Sequence, residues 1–196
     1  MKEVAQKKIN KYEKILEAAA KVFAEKGFHR ARISDVARLA GVADGTVYLY
    51  FQNKDDLLIK TFEFIMDEVN SVLKRIYETE PSHQERIRKL ILAHYELANK
   101  YPHAAELITF ELRQSHKFMK EYENKKFKEY LRLIANIIEE GQDAGAFSKS
   151  LSPYVTSRAI FGILNETMLQ WIASKGKYRI EEISNTVIKI VLGGIT

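Results

Sequence analysis

The sequence predicts an all-α fold of about nine helices. Apolar residues recur at the i, i+3, i+4, i+7 spacing of a helix face through most of the 196 residues. Nine Gly and three Pro are too few for the turns of an all-β domain. No alternating stretch long enough for a strand, no internal repeat and no low-complexity segment stands out. With 46% hydrophobic and 29% charged residues, the chain has the balance of a folded globule and enough length to bury a core.

The elements follow in order. Ile15, Ala18, Ala19, Val22 and Phe23 form one apolar stripe, with Gly27 placed to close the helix. A short helix then runs from Ser34, at or near its cap, to a closing Gly41. After a turn of two or three residues a third helix spans about Asp44 to Phe51. Asn53 and Asp55 offer N-cap chemistry for a long fourth helix with apolar positions at Leu57, Leu58, Ile65, Val69, Leu73 and Ile76, stopped by Pro81 and Ser82. The remainder reads as helices at roughly 83–100, 102–113, 115–141, 152–174 and 180–193. Pro102 and Pro153 sit near helix starts, Gly141 and Gly145 mark a loop, and Lys175-Gly176-Lys177 breaks the last pair. The expected division is a reading domain over 1–54 and a body over 55–196.

Charge is distributed unevenly along this layout. Residues 1–54 hold 11 Lys and Arg against 6 Asp and Glu, whereas 55–196 hold 20 of each. The net charge of +5 therefore lies in the first quarter, as expected for a module that meets a polyanion. The absence of Cys excludes disulfide scaffolds, thiolate metal sites and cysteine nucleophiles. Apolar runs fall short of the ~18 residues of a membrane span, so no membrane partner is expected. No apolar segment follows the basic first residues, and the expected location is the cytoplasm.

Two short helices joined by a tight turn at Gly41 are the layout of a helix-turn-helix. At 100° per residue, Val47 and Phe51 share one face of the second helix and pack toward Val36, Ala37 and Ala40. Gly45, Thr46 and Leu49 then point outward, flanked by Tyr48 and Tyr50. Small and hydroxylated residues can approach base edges in a major groove, and Leu can touch a thymine methyl. The Tyr hydroxyls could reach phosphates, with Arg32, Arg38 and Lys54 as cations along the footprint.

The run Ile33-Ser34-Asp35-Val36-Ala37-Arg38-Leu39-Ala40-Gly41-Val42-Ala43-Asp44-Gly45-Thr46-Val47-Tyr48-Leu49-Tyr50-Phe51, followed by Lys54 and Leu57-Leu58, resembles the TetR family of transcriptional repressors. Ala43 departs from the Ser that often caps the recognition helix there, which leaves Asp44 to cap it or the helix to fray. Ala31-Arg32 replaces a common Thr-Thr and exchanges a hydroxyl contact to phosphate for a charged one. On this resemblance the DNA-binding residues are Arg32, Ser34, Asp44, Gly45, Thr46, Tyr48, Leu49, Tyr50 and Lys54. The resemblance also implies a homodimer on a palindromic double-stranded operator, joined through the last two helices. Those helices are apolar around more than one face, and Ile160, Leu169, Trp171, Ile172, Val187, Ile190 and Val191 are the expected interface.

In such repressors the body holds an effector. The expected lining is Tyr95, Leu107, Phe110, Arg113, Gln114, Ile134, Ile138, Phe161, Leu164, Asn165 and Met168. Arg113 suits an anionic ligand group or a structural bridge to Glu111 or Glu166. Phe110-Glu111-Leu112-Arg113-Gln114-Ser115, Ile160-Phe161-Gly162-Ile163-Leu164-Asn165-Glu166-Thr167 and Trp171 resemble the fatty-acid-degradation repressors of that family, the FadR type. That implies release from DNA by long-chain acyl-CoA; the alternative within the family is an efflux-gene repressor sensing aromatic or cationic compounds.

An enzyme is not expected, and no cofactor or metal either. Glu80-Pro81-Ser82-His83 has di-iron spacing but spans a helix break and occurs once. His94, His103 and Glu106 show no convergent metal spacing, and no phosphate loop or nucleophile motif is present. A helical acyl-binding or adaptor protein would not explain a basic excess confined to 1–54.

Overall fold

The computed structural model describes residues 2–108, 125–174 and 177–196, with side chains from Lys11 onward. Nine helices are described: α1 (Lys2–Lys26), α2 (Ile33–Ala40), α3 (Asp44–Tyr48), α4 (Lys54–Thr79), α5 (His83–Lys100), α6 (Pro102–Glu106), α7 (Lys125–Asp143), α8 (Pro153–Ala173) and α9 (Ile180–Ile195). No strand occurs among the described residues, and no described helix is long and apolar enough to cross a membrane. The all-α expectation holds.

The chain packs as two units. One comprises residues up to Ile65 with the described segment 103–108; the other comprises 66–102 and the described residues from 125 onward. The division falls inside α4, between Ile65 and Met66.

In the first unit, Ile15, Ala19 and Phe23 of α1 are buried together with Val36 and Ala37 of α2, Val47 and Phe51, and Leu57 and Leu58 of α4. Burial of each large side chain in such a core contributes about 1.5–3 kcal/mol. Gly27 (φ +75°) and Gly41 (φ +69°) follow α1 and α2 in the left-handed conformation that costs glycine least. The cap of α2 is not Ser34, which is exposed inside the first turn. The N-cap is Arg32, and the Asp35 carboxylate, three residues on, accepts the Arg32 N–H at 3.3 Å. Helix α3 is shorter than expected and ends at Tyr48. Ala43 stands at its N-cap without a side-chain acceptor, and Asp44 lies in the first turn instead of capping it. The chain then turns, with the Tyr50 and Phe51 N–H groups both on the Val47 carbonyl at 3.0 Å. For α4 the capping residue is Asn53, whose Oδ1 accepts the Asp56 N–H at 2.9 Å.

In the second unit α7 packs on α5 and α8, and α9 packs on α5 and α8. Ile87, Leu90, Ile91, Ile134, Ile138, Leu164 and Met168 are buried there. Ser82 and Ser152 cap α5 and α8, accepting the Glu85 and Val155 N–H groups at 3.3 and 3.4 Å. The expectation that Gly141 marks a loop is corrected: it lies within α7, which continues to Asp143. A Cβ at Gly141 would overlap the Phe147 ring, so a glycine lets Phe147 (4% exposed) fold back over the helix end. The turn itself is made at Gly145, φ +73°. Of the helices expected at 102–113 and 115–141, the described parts are α6 and α7.

Candidate nucleic-acid and ligand sites

The short α3 is held by what it buries. Val47 and Phe51 are 0% and 1% exposed, and Tyr12 of α1 stacks on Phe51 at 5.2 Å between ring centroids. With these anchors inside, Leu49 is 82% exposed and Tyr48 57% exposed, while Gly45 is exposed and Thr46 half-buried. Leu49, Tyr48 and the exposed Leu39 of α2 thus leave apolar side chains of the two short helices in water. Tyr50 differs from its mirror-image expectation. It is half-buried, its ring 5.9 Å from that of Tyr12, so the two tyrosines do not flank α3 equivalently.

The cations around α3 divide by how they are held. Arg32 is exposed. Asp35 binds Lys26 at 2.8 Å and Arg38 at 3.0 Å, and these partners, Lys26 first, hold its carboxyl below the usual range. The Arg38 side chain nevertheless remains 78% exposed. Lys54 has a structural task that sequence reasoning missed. Its ammonium donates to the His29 and Ala31 carbonyls at 3.2 and 3.1 Å and lies 4.6 Å above the Phe28 ring. It ties the α1–α2 turn to the start of α4, a second role beside the cation role expected of it.

Among the expected ligand-lining residues, Tyr95, Ile134, Ile138, Leu164, Asn165 and Met168 are buried in the second unit and Phe161 is half-buried there. Leu107 is buried in the first. Phe110, Arg113 and Gln114 lie outside the described residues, as does Glu111. Tyr95 exchanges a hydrogen bond with Thr167 at 2.6 Å, joining α5 to α8. Phe161 meets Phe127 edge-on at 4.7 Å and Tyr130 at 5.9 Å, while Phe127 stacks on Tyr130 at 6.2 Å. Sequence reasoning singled out neither α7 aromatic. At helical spacing they read as ordinary core, and only the contacts reveal the cluster.

Three members of the expected dimer interface are placed otherwise. Ile160, Val187 and Val191 are 2–3% exposed within the single chain, because they lie on the faces where α8 and α9 meet the rest of the unit. Leu169, Trp171 and Ile172 are half-buried, and Ile190 is 58% exposed. The outer faces of α8 and α9 also carry exposed Val155, and Gly162, Gly193 and Gly194 open onto empty space. Between α5 and α9 lies an open groove of about 480 Å³ bordered by Arg88, Asn185, Ile188, Lys189 and Leu192.

Residues 15–61 match the model of bacterial regulatory proteins of the tetR family, and residues 62–194 match the C-terminal region of YsiA-like proteins of the same class. The chain belongs to the TetR family. The fatty acid metabolism regulator protein of Bacillus subtilis is 34% identical to this TetR-family chain over 94% of its length and 95% of the relative's. In structure, the fatty acid degradation regulator FadR of Bacillus halodurans matches at a TM-score of 0.88 and 34% identity, covering 94% of this chain and 95% of that one. FadR of Bacillus subtilis, solved in complex with stearoyl-CoA, matches at 0.87 and 33%, covering 94% of this chain and 100% of that one. As a TetR-family regulator, the chain carries the helix-turn-helix of α2 and α3 as its DNA-binding element.

Proposed function

We propose that this regulator represses genes of fatty acid metabolism by binding a palindromic operator as a homodimer, and that long-chain acyl-CoA releases it. The observation that carries the DNA-binding half is the facing of α3. Val47 and Phe51 anchor the helix, leaving Leu49 and Tyr48 exposed on a surface with Arg32 and Arg38. Thr46, Tyr48 and Leu49 then read base edges, Gly45 permits close approach, and Arg32, Ser34, Asp44 and Tyr50 position the helix. The effector half is supported by similarity along nearly the whole chain to a protein solved with stearoyl-CoA, together with the buried apolar core of α5, α7 and α8. In this reading Leu107, Phe110, Arg113 and Gln114 remain proposed ligand contacts, with Arg113 suited to an anionic group of the effector.

The dimer forms through the outer faces of α8 and α9, with Leu169, Trp171, Ile172 and Ile190 in contact and Ile160, Val187 and Val191 supporting them from inside. Functionally the chain divides into the reading domain 1–54 and the body 55–196. Acyl-CoA binds better to a conformation whose two reading helices no longer match the groove spacing of about 34–36 Å. Helix α4, which begins in one packed unit and ends in the other, is the lever.

Fluorescence anisotropy of labelled operator DNA, titrated with palmitoyl-CoA, tests the reading. Release at micromolar ligand is expected. An operator affinity that stays unchanged at saturating palmitoyl-CoA but falls with a cationic dye would assign the protein to efflux control. Binding without salt dependence would remove the DNA-binding claim, because phosphate contacts impose a steep salt slope.

A further inference from the structure

Among the described residues, two buried polar atoms in the second unit have no hydrogen-bond partner, one on α7 and one on the part of α4 in that unit. The Tyr130 hydroxyl is one; the residue is 2% exposed. The other is Oδ1 of Asn70, 6% exposed. The orientation of the Asn70 amide is set by its Nδ2, which donates to the Lys126 carbonyl at 3.0 Å and leaves Oδ1 as the unused acceptor. Through this bond Asn70 of α4 is tied to the first turn of α7, the helix that carries Tyr130 four residues after Lys126.

Folded chains leave few buried polar atoms unpaired, and each one requires an explanation. Among the described residues, nothing pairs with the Tyr130 hydroxyl. Phe127 stacks along its ring and Phe161 approaches edge-on. Tyr95, whose phenol reinforces the burial that pushes the Tyr130 hydroxyl up, has its own hydroxyl engaged with Thr167. The result is an apolar region of aromatic rings with one unspent O–H donor.

We propose that the Tyr130 hydroxyl donates a hydrogen bond to the thioester carbonyl oxygen of the acyl-CoA effector and so selects acyl thioesters over other long-chain amphiphiles. The proposal rests on the acyl-CoA reading above and deepens it. An acyl chain lies among the rings and aliphatic side chains of α5, α7 and α8, and its carbonyl needs a donor where it leaves the apolar region. Tyr130 supplies that donor at no cost to an existing bond. Asn70 Oδ1, the other unused polar atom of this unit, is an acceptor suited to an N–H group, and the arm beyond the thioester carries an amide.

The test compares palmitoyl-CoA with its S-hexadecyl thioether, which lacks only the carbonyl, on wild type and Tyr130→Phe. Affinities are read by calorimetry and by operator release. Wild type is expected to prefer the thioester by about tenfold, the equivalent of about 1.4 kcal/mol. Tyr130→Phe is expected to lose that preference by weakening thioester binding while thioether affinity stays within about twofold. Without ligand the variant melts at or above the wild-type temperature, since it removes an unpaired buried hydroxyl and keeps the ring stack. Equal loss of both compounds, no loss of either, or a ligand-free variant that melts lower would overturn the proposal. If wild type binds neither compound, the acyl-CoA reading itself falls, and the role of Tyr130 falls with it.

Discussion

At the scale of single residues, His94 shows how burial converts into pH dependence. Burial on α5 brings its imidazole down to about 4 from the ordinary 6.5. Between those values the unfolded chain binds a proton that the native chain refuses. Stability therefore falls as pH drops from about 6.5 to about 4, by up to roughly 3 kcal/mol once both states are compared below the window. His94→Gln is expected to flatten that arm. Urea unfolding at pH 7, 5.5 and 4 measures it; a wild type whose stability is level across the window would contradict the burial of the neutral ring. The sequence placed His94 on a helix without a metal partner, but its charge state was not legible there, because desolvation is a property of the packed surroundings.

At the scale of elements, the link between the α1–α2 turn and α4 separates two kinds of cation. Lys54 serves the fold through the carbonyls of His29 and Ala31, and Lys54→Met is expected to destabilise the protein by about 1 kcal/mol by leaving the part-buried Ala31 carbonyl unpaired. Arg32 is exposed, and Arg32→Ala is expected to leave the melting temperature unchanged and to lower the salt slope of operator binding by about one. Thermal melting and a salt titration of both variants decide the matter, and the opposite pattern would exchange the two roles. Both residues read as footprint cations in the sequence. The facing of α3 was legible, since 100° per residue suffices to put Val47 and Phe51 on one side and Leu49 on the other. Its length was not, because Ala43 provides no cap and the end is decided by turns around Val47.

At the scale of the whole molecule, operator recognition by two half-sites requires two chains. In the dimer proposed above, the exposed Ile190, with Gly193 and Gly194 unobstructed beside it, makes the outer face of α9 the place to break the assembly. Ile190→Glu is expected to give folded monomers in sedimentation velocity at micromolar concentration, and to lose operator binding by at least tenfold. A dimer that survives the substitution would move the interface off this face. Polar substitution at Val187 or Val191 tests nothing of the kind, since both are core residues of the single chain.

The sequence by itself determined the all-α class, the family, the helix-turn-helix and the confinement of net positive charge to the first quarter. These are written in local signals: helical periodicity, glycines after α1 and α2, and side-chain types a few positions apart. Only the tertiary structure decided which apolar residues of α8 and α9 point inward, that Gly141 lies within a helix under Phe147, and that Tyr130 and Asn70 hold unspent polar atoms. Each of those depends on which distant residues meet. Lys54 and Ala31 are 23 positions apart, Asn70 and Lys126 are 56, and no periodicity along the chain records such pairs.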